Sequence, residues 1–323
     1  MKRVIIDTDP GIDDAAAIFL ALASPELKVE ALTTVYGNGT AEHCTRNALI
    51  ILETAGRGDI PVYRGVGRPL LRDVRVADYV HGSDALGGVG LTPPQGSPQA
   101  KHAARELVDR VMASPGEITL LALGPLTNVA LALGMEPEMA GALAELVLMG
   151  GAVLTHGNAS EVATANLYND PEAAAIVYQS GAPLVQAGLD VCLKTHLKRE
   201  QLARIEQADT PTTNLLAQIT PQLAGFYTSR GLLQPGMAVG YNDLPAIAYA
   251  IDPGLFDIQE YYVRISTHDE LTRGQTVADV TRMRGQPPNA KVLMDVDAVR
   301  MTELFTSRVI DYALPEGGRG GIT

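Results

Sequence analysis

The opening fourteen residues constrain this chain more than any other stretch. Positions 2–6 read as a short buried strand, apolar and β-branched over Val4-Ile5-Ile6. Pro10-Gly11 ends that strand with turn chemistry. Asp13-Asp14 then open an apolar run over 15–23, which Ser24-Pro25 stops, as expected of a helix. Asp7, Asp9, Asp13 and Asp14 therefore put four carboxylates in eight residues at the carboxyl end of a strand and the start of a helix. In an open α/β sheet that edge is where ligands bind.

Taken singly, these aspartates have ordinary uses. Asp13 suits a helix N-cap and the helix dipole, and Asp7 suits a strand end tied to a neighbouring backbone. Asp9, Asp13 and Asp14 together are different, because crowded carboxylates repel and take up protons unless a cation offsets the charge. A hard divalent cation is the simplest compensation, since Ca²⁺ and Mg²⁺ both take carboxylate oxygens.

A chain of 323 residues with 46% hydrophobic content can bury a large core. Its formal net charge of −12 argues against binding nucleic-acid backbones or anionic membranes and favours neutral small molecules and metal ions. Cys44 and Cys192 give neither a disulfide framework nor a zinc pattern, and each reads as a free buried thiol in a reducing compartment. The apolar run after Met1-Lys2-Arg3 is too short for a signal-peptide core, and the runs near Leu120 and Leu146 are too short to span a membrane. A cytoplasmic protein is the expectation.

Further strands are expected at 29–36, 61–65, 118–122, 146–149, 184–188, 258–266, 276–280 and 291–294, and helices at 40–56, 98–113, 129–133, 198–207, 213–229, 243–250 and 296–307. Asp170-Pro171-Glu172 starts another helix with proline at N1. The long segment 68–96, carrying His81-Gly82-Ser83-Asp84-Ala85-Leu86-Gly87-Gly88, reads as an active-site loop. Alternating strands and helices give an α/β fold: one domain over 1–314 with an open, mostly parallel central sheet and helices on both faces, followed by a flexible tail at 315–323.

Several strand-end turns carry polar residues that could converge: Asp9, Asp13 and Asp14, then Asn38, Thr127, Asn158 with Asn166, and Asp243. None forms a phosphate-cradling loop, because Gly87-Gly88 lacks the following Lys-Ser/Thr and no Gly-x-Gly-x-x-Gly follows the first strand. An acidic, amide-rich site suits a polyhydroxylated ligand and a developing positive charge.

The run Asp7-Thr8-Asp9-Pro10-Gly11-Ile12-Asp13-Asp14 resembles the signature of the inosine–uridine-preferring nucleoside hydrolase family. Gly37-Asn38, Val80-His81-Gly82, Gly124-Pro125-Leu126-Thr127-Asn128, Met149-Gly150-Gly151, Asn169-Asp170-Pro171-Glu172-Ala173-Ala174 and Leu271-Thr272-Arg273-Gly274-Gln275-Thr276 resemble its later blocks, in order. The resemblance implies a Rossmann-like core and Ca²⁺-dependent hydrolysis of a ribonucleoside to base and ribose through an oxocarbenium-like transition state. It implies that Asp9, Asp14, Asp243 and the Thr127 carbonyl hold the Ca²⁺, with Asp9 also the general base that activates a metal-bound water. Asp13 and Asn166 would grip the ribose hydroxyls, Asn38 would lie near the attacking water, and Asn158 toward the 5′ side. Met149 and His81 would line the pocket, and the base would sit against the segment 220–239. A homodimer or homotetramer is implied as well.

Two positions depart from the family pattern. The residue before the last metal-binding aspartate, a histidine in members with strong purine or general activity, is Asn242, which cannot protonate a leaving base. Tyr227, Tyr241 and His81 are the candidates to replace it. The usual Ala-Glu-Phe-Asn block reads Ala163-Thr164-Ala165-Asn166, so the glutamate expected on the 5′-hydroxyl is absent and Thr164 takes its place. These departures motivate two alternatives: a hydrolase of a 5′-modified nucleoside such as a 5′-monophosphate, and a nucleoside- or ribose-binding homologue with weak turnover. An aspartyl-phosphate phosphotransferase, suggested by Asp7-x-Asp9, conflicts with Pro10-Gly11-Ile12-Asp13-Asp14 and the later blocks.

Overall fold

The structure is a computed structural model and describes residues 1–315, so the expected tail lies outside the described residues from 316 onward. Among the described residues twelve strands form, in chain order: β1 (Lys2–Thr8), β2 (Leu27–Thr34), β3 (Val62–Arg64), β4 (Ile118–Ala122), β5 (Glu145–Met149), β6 (Leu184–Ala187), β7 (Leu197–Lys198), β8 (Met237–Val239), β9 (Phe256–Tyr261), β10 (Val263–Ile265), β11 (Thr276–Ala278) and β12 (Ala290–Val296). Eight of them make one sheet in the order β3-β2-β1-β4-β5-β6-β12-β9. All neighbours in it pair in parallel except β9, which runs antiparallel to β12 at the edge. The expected α/β class, with a mostly parallel sheet, is what forms.

Strand alternation covers both faces. Val4 and Ile6 of β1 join the core cluster with Leu121, Val147 and helix Ile12–Leu22, while Ile5 joins Leu120, Leu146 and helix Ala103–Ala113 on the other side. Helices thus lie against both sides of strands buried over almost their whole length, which is why those strands read as apolar runs. Local signals fix the helix starts. Thr40 caps Ala41–Thr54 by accepting the His43 amide at 3.2 Å. Asp170 caps Pro171–Tyr178 by accepting the Ala173 amide at 3.0 Å, with proline at N1 as expected.

Chain order in the sheet reverses between β1 and β4: β2 and β3 extend one way, β4, β5 and β6 the other. Loops leaving the carboxyl ends of β1 and β4 diverge there and open a crevice. Asp9, Asn38, Leu123 and Met149 stand at or just beyond the ends of β1, β2, β4 and β5.

Two expectations are corrected. The run 258–266 is not one strand: it breaks at Tyr262 into β9, an edge of the main sheet, and β10, which pairs with β11 in a separate ribbon. The helix expected from 98 starts at Ala103, because Gln99 is held extended by donating its amide to the Val62 carbonyl at 2.8 Å, and His102 is the cap. The polar segment 155–169 contains a short helix, Ala165–Asn169. Cys44 and Cys192 are buried and free, as expected. Among the described residues no helix is long and apolar enough to cross a membrane.

Candidate active site and metal centre

The aspartate turn is held from three sides. Asp7 Oδ1 accepts from the Thr33 hydroxyl at 2.6 Å and from Asn128 Nδ2 at 2.8 Å, so this carboxylate ties β1 to β2 and to helix Thr127–Met135. Asp9 follows the strand, and its Oδ2 accepts the Asn38 backbone amide at 2.8 Å. Asp14 Oδ2 accepts the Gly11 amide at 2.9 Å and Asn38 Nδ2 at 2.8 Å, and its Oδ1 accepts from the Thr8 hydroxyl. The helix-capping role expected of Asp13 therefore belongs to Asp14, and Asp13 is left with a buried Oδ1 that has no hydrogen-bond partner among the described residues.

Glycines make room for this cluster. A Cβ on Gly37 would overlap Asp9 Oδ2, and one on Gly124 would stand 2.6 Å from Asp9 Oδ1. A Cβ on Gly11 would stand 2.6 Å from Asn38 Nδ2 and 2.8 Å from His81 Nδ1.

Asp243 reaches the same place from the start of helix Leu244–Ile251, where its side chain caps nothing. Carboxylate oxygens of Asp13, Asp14 and Asp243 lie within 4.8 Å of one another. Burial pushes Asp13 and Asp14 up to about 6, and raises Asp9 and Asp243 well above the usual range with help from their acidic neighbours. An all-oxygen donor set, buried, mutually repelling and including one orphaned oxygen, fits a hard divalent cation.

The cluster forms one end of a cavity of about 670 Å³, whose walls include Asp13, Asn38, His81, Met149, Asn158, Asn166, Asn242 and Asp243. Eight of the twelve residues singled out from the sequence thus share it, and Asp9 and Asp14 lie buried beneath it, linked to Asn38. The long loop contributes as expected: its short helix Asp78–His81 brings Tyr79, Val80 and His81 to the wall. Gly82, at φ +84°, folds the loop back so tightly that a Cβ would stand 2.9 Å from the Gly87 carbonyl carbon. His81 Nδ1 accepts the Ile12 amide at 3.2 Å, and burial pushes the imidazole down to about 4, so His81 is neutral at pH 7. Asn166 donates through Nδ2 to the carbonyls of Leu123 at 2.5 Å and Met149 at 3.0 Å. Asn158 Oδ1 accepts the Ala165 amide at 2.9 Å.

Two residues stand elsewhere. Thr127 is the first residue of its helix, so its carbonyl points along the helix axis, away from the strand ends, and its hydroxyl donates to Asp170 at 2.7 Å. Main-chain oxygens at the site, both accepting from Asn166, are those of Leu123, directly after β4, and Met149, at the end of β5. Thr164 is buried and its hydroxyl accepts the Gly151 amide at 2.9 Å, so it does not face the cavity, and its neighbour Ala165 does. Tyr241 is also spent elsewhere, bonded to the Thr220 hydroxyl at 2.6 Å and packed on Phe305.

The rest of the lining comes mainly from the expected segment and mixes apolar Leu223, Phe226 and Leu232 with Tyr227, Arg230 and Gln234, together with Leu189, Leu193 and His196. His196 is the residue that sequence reasoning missed. A lone histidine outside any motif carries no signal until the fold places it.

Comparison with known proteins agrees with this geometry. The family model described as inosine-uridine preferring nucleoside hydrolase matches residues 4–303. The pyrimidine-specific ribonucleoside hydrolase RihA of Citrobacter koseri is 40% identical over 310 residues, 96% of this chain and 98% of that protein. A solved plant nucleoside hydrolase, the PpNRh1 enzyme, superposes with a TM-score of 0.90 at 37% identity, covering 96% of this chain and 99% of that one. A purine-preferring ribonucleoside hydrolase from Gardnerella vaginalis superposes with a TM-score of 0.90 at 32% identity, over the same shares of the two chains. With its aspartate turn, strand-end carbonyl and cavity set in one shared fold, the chain belongs to the inosine-uridine preferring nucleoside hydrolase family.

Proposed function

We propose that the chain is a Ca²⁺-dependent ribonucleoside hydrolase, acting on pyrimidine ribonucleosides foremost. The observation that carries this reading is the convergence of Asp13, Asp14 and Asp243 at a cavity that also offers an apolar slot of Leu189, Leu193, Leu223 and Phe226. Such a cavity suits a polyhydroxylated ring joined to a flat base. The pyrimidine preference rests on the likeness to the RihA relative.

Asp14 and Asp243 would hold the ion, with Asp9 and the Leu123 carbonyl beside them. When bound, it supplies the positive charge that keeps these carboxylates ionised and makes nearby water more acidic. Asp13 then accepts from a ribose hydroxyl through its unpartnered Oδ1, and Asn166 accepts another through the Oδ1 opposite its anchored Nδ2. Asn38 fixes Asp9 by its amide on Oδ2, which leaves Oδ1 to take the proton of the attacking water. The C1′–N bond breaks with its electron pair going to the base, water oxygen bonds C1′, and the anionic site favours the positive charge that develops on the ribose.

Mixing the protein with uridine, cytidine and inosine and following free ribose by a reducing-sugar assay tests the reading. Steady ribose release, fastest from the pyrimidines, supports it. Binding of nucleosides without ribose release would make the chain a binding protein instead.

A further inference from the structure

His196 lies between the short helix Leu189–Cys192 and β7, and is buried with 7% of its surface exposed. It lines the cavity, yet its Nε2 has no hydrogen-bond partner among the described residues. Its ring meets that of Tyr227 edge-on, with centroids 5.4 Å apart. A Cβ on Gly240 would stand 2.5 Å from His196 Cδ2, 2.7 Å from His196 Nε2 and 3.1 Å from the Tyr227 hydroxyl, so the imidazole packs where it does only because position 240 carries no side chain. The Tyr227 hydroxyl in turn donates to Asn242 Oδ1 at 3.4 Å, next to Asp243.

These three polar groups line the cavity beside the apolar side chains of Leu189, Leu193 and Leu223, with Arg230 and Gln234 also in its lining. A buried imidazole without a partner costs free energy unless something else satisfies it. Burial holds the His196 imidazole below its ordinary value and the Tyr227 phenol above its own, so at pH 7 one presents a neutral N–H and the other an O–H. A planar heterocycle lying in the apolar slot would bring ring nitrogens or carbonyl oxygens to this edge.

We propose that His196, oriented by Tyr227 and by its close packing on Gly240, contacts the nucleobase and donates a hydrogen bond to the acceptor on which negative charge grows as the C1′–N bond breaks. The contact fills the role that Asn242 cannot. It involves no full proton transfer from His196: the electron pair stays on the base, and the hydrogen bond steadies it. The inference rests on the hydrolase reading above.

The test compares uridine with p-nitrophenyl β-D-ribofuranoside, whose leaving group is acidic enough to depart as its anion without help. In Ca²⁺-loaded protein, His196→Ala is expected to lower kcat/KM for uridine about tenfold or more, as loss of a hydrogen bond to a developing charge does, while the nitrophenyl substrate changes less than about twofold. His196→Gln, which keeps a donor, recovers part of the uridine rate, and Gly240→Ala, whose Cβ would press on the imidazole and displace it, repeats the selective loss. Equal losses on both substrates, or no loss on uridine in a folded variant, overturn the inference alone. A wild-type protein that releases ribose from neither substrate overturns the hydrolase reading and this inference with it.

Discussion

The Asn38 backbone amide donates to Asp9 Oδ2 at 2.8 Å, so the turn after β2 sets the orientation of the carboxylate delivered by β1. The same residue's side chain donates to Asp14 at 2.8 Å, which makes Asn38 the bridge between two buried aspartates. Removing the basicity of Asp9 while keeping its shape isolates its chemical role. Asp9→Asn is expected to fold and to lose at least ~10²-fold in kcat, the lower end for acid–base catalysis. Normal turnover at full metal occupancy would remove Asp9 as the base.

Gly37 forms a wall of the slot that holds Asp9. Gly37→Ala introduces a Cβ that overlaps Asp9 Oδ2, so the carboxylate must move. A displacement of about 1 Å can cost on the order of 10²-fold in rate, and a loss of that order in kcat is expected. Gly134→Ala, where a Cβ meets nothing within 4 Å, serves as the control and leaves kcat unchanged. Steady-state kinetics of both variants checks this.

Asp13 should behave differently from Asp9. Its Oδ1 has no protein partner and it lines the cavity, so Asp13→Ala is expected to raise KM for uridine by about tenfold or more while Ca²⁺ remains bound. Calorimetric titration of Ca²⁺ into the variant separates the two effects. Lost Ca²⁺ binding would place Asp13 among the ion's ligands instead.

Ca²⁺ affinity should rise with pH through about 6, the value to which burial pushes Asp13 and Asp14. In the metal-free protein these raised carboxylates favour the native state below their unfolded values, and that contribution is lost as pH rises through about 6. Buried His81, pushed down to about 4, acts in the opposite sense, so the difference between Ca²⁺-loaded and metal-free Tm isolates the carboxylates. The stabilisation by Ca²⁺ is expected to grow from pH 5 to pH 7, with proton release on binding at the lower pH. A Ca²⁺-induced shift in Tm that shrinks over that interval contradicts the assignment.

Much of this was legible in the sequence because local chemistry and tertiary role coincide. The strand at 118–122 is observed at Ile118–Ala122, since an apolar run that is buried on both faces has no competing pattern. Thr40 and Asp170 announce their helices because capping is a local event. The aspartate turn carries its ligand chemistry in its side chains. Leu123 was invisible because a residue that serves the site through its carbonyl leaves no mark on residue type. The break at Tyr262 was invisible because no glycine or proline marks it, and the two strands part only through their choice of partner. Thr164 misled because its position in the motif is filled, while its hydroxyl serves the Gly151 amide.

The central claim is that a divalent cation at the Asp9, Asp14 and Asp243 cluster is required for cleavage of the N-glycosidic bond. The most direct test is release of ribose from uridine by exhaustively chelated protein, before and after Ca²⁺ is restored. No ribose from the stripped protein and recovery with Ca²⁺ is the predicted result. Full ribose release by protein shown to be metal-free would contradict it.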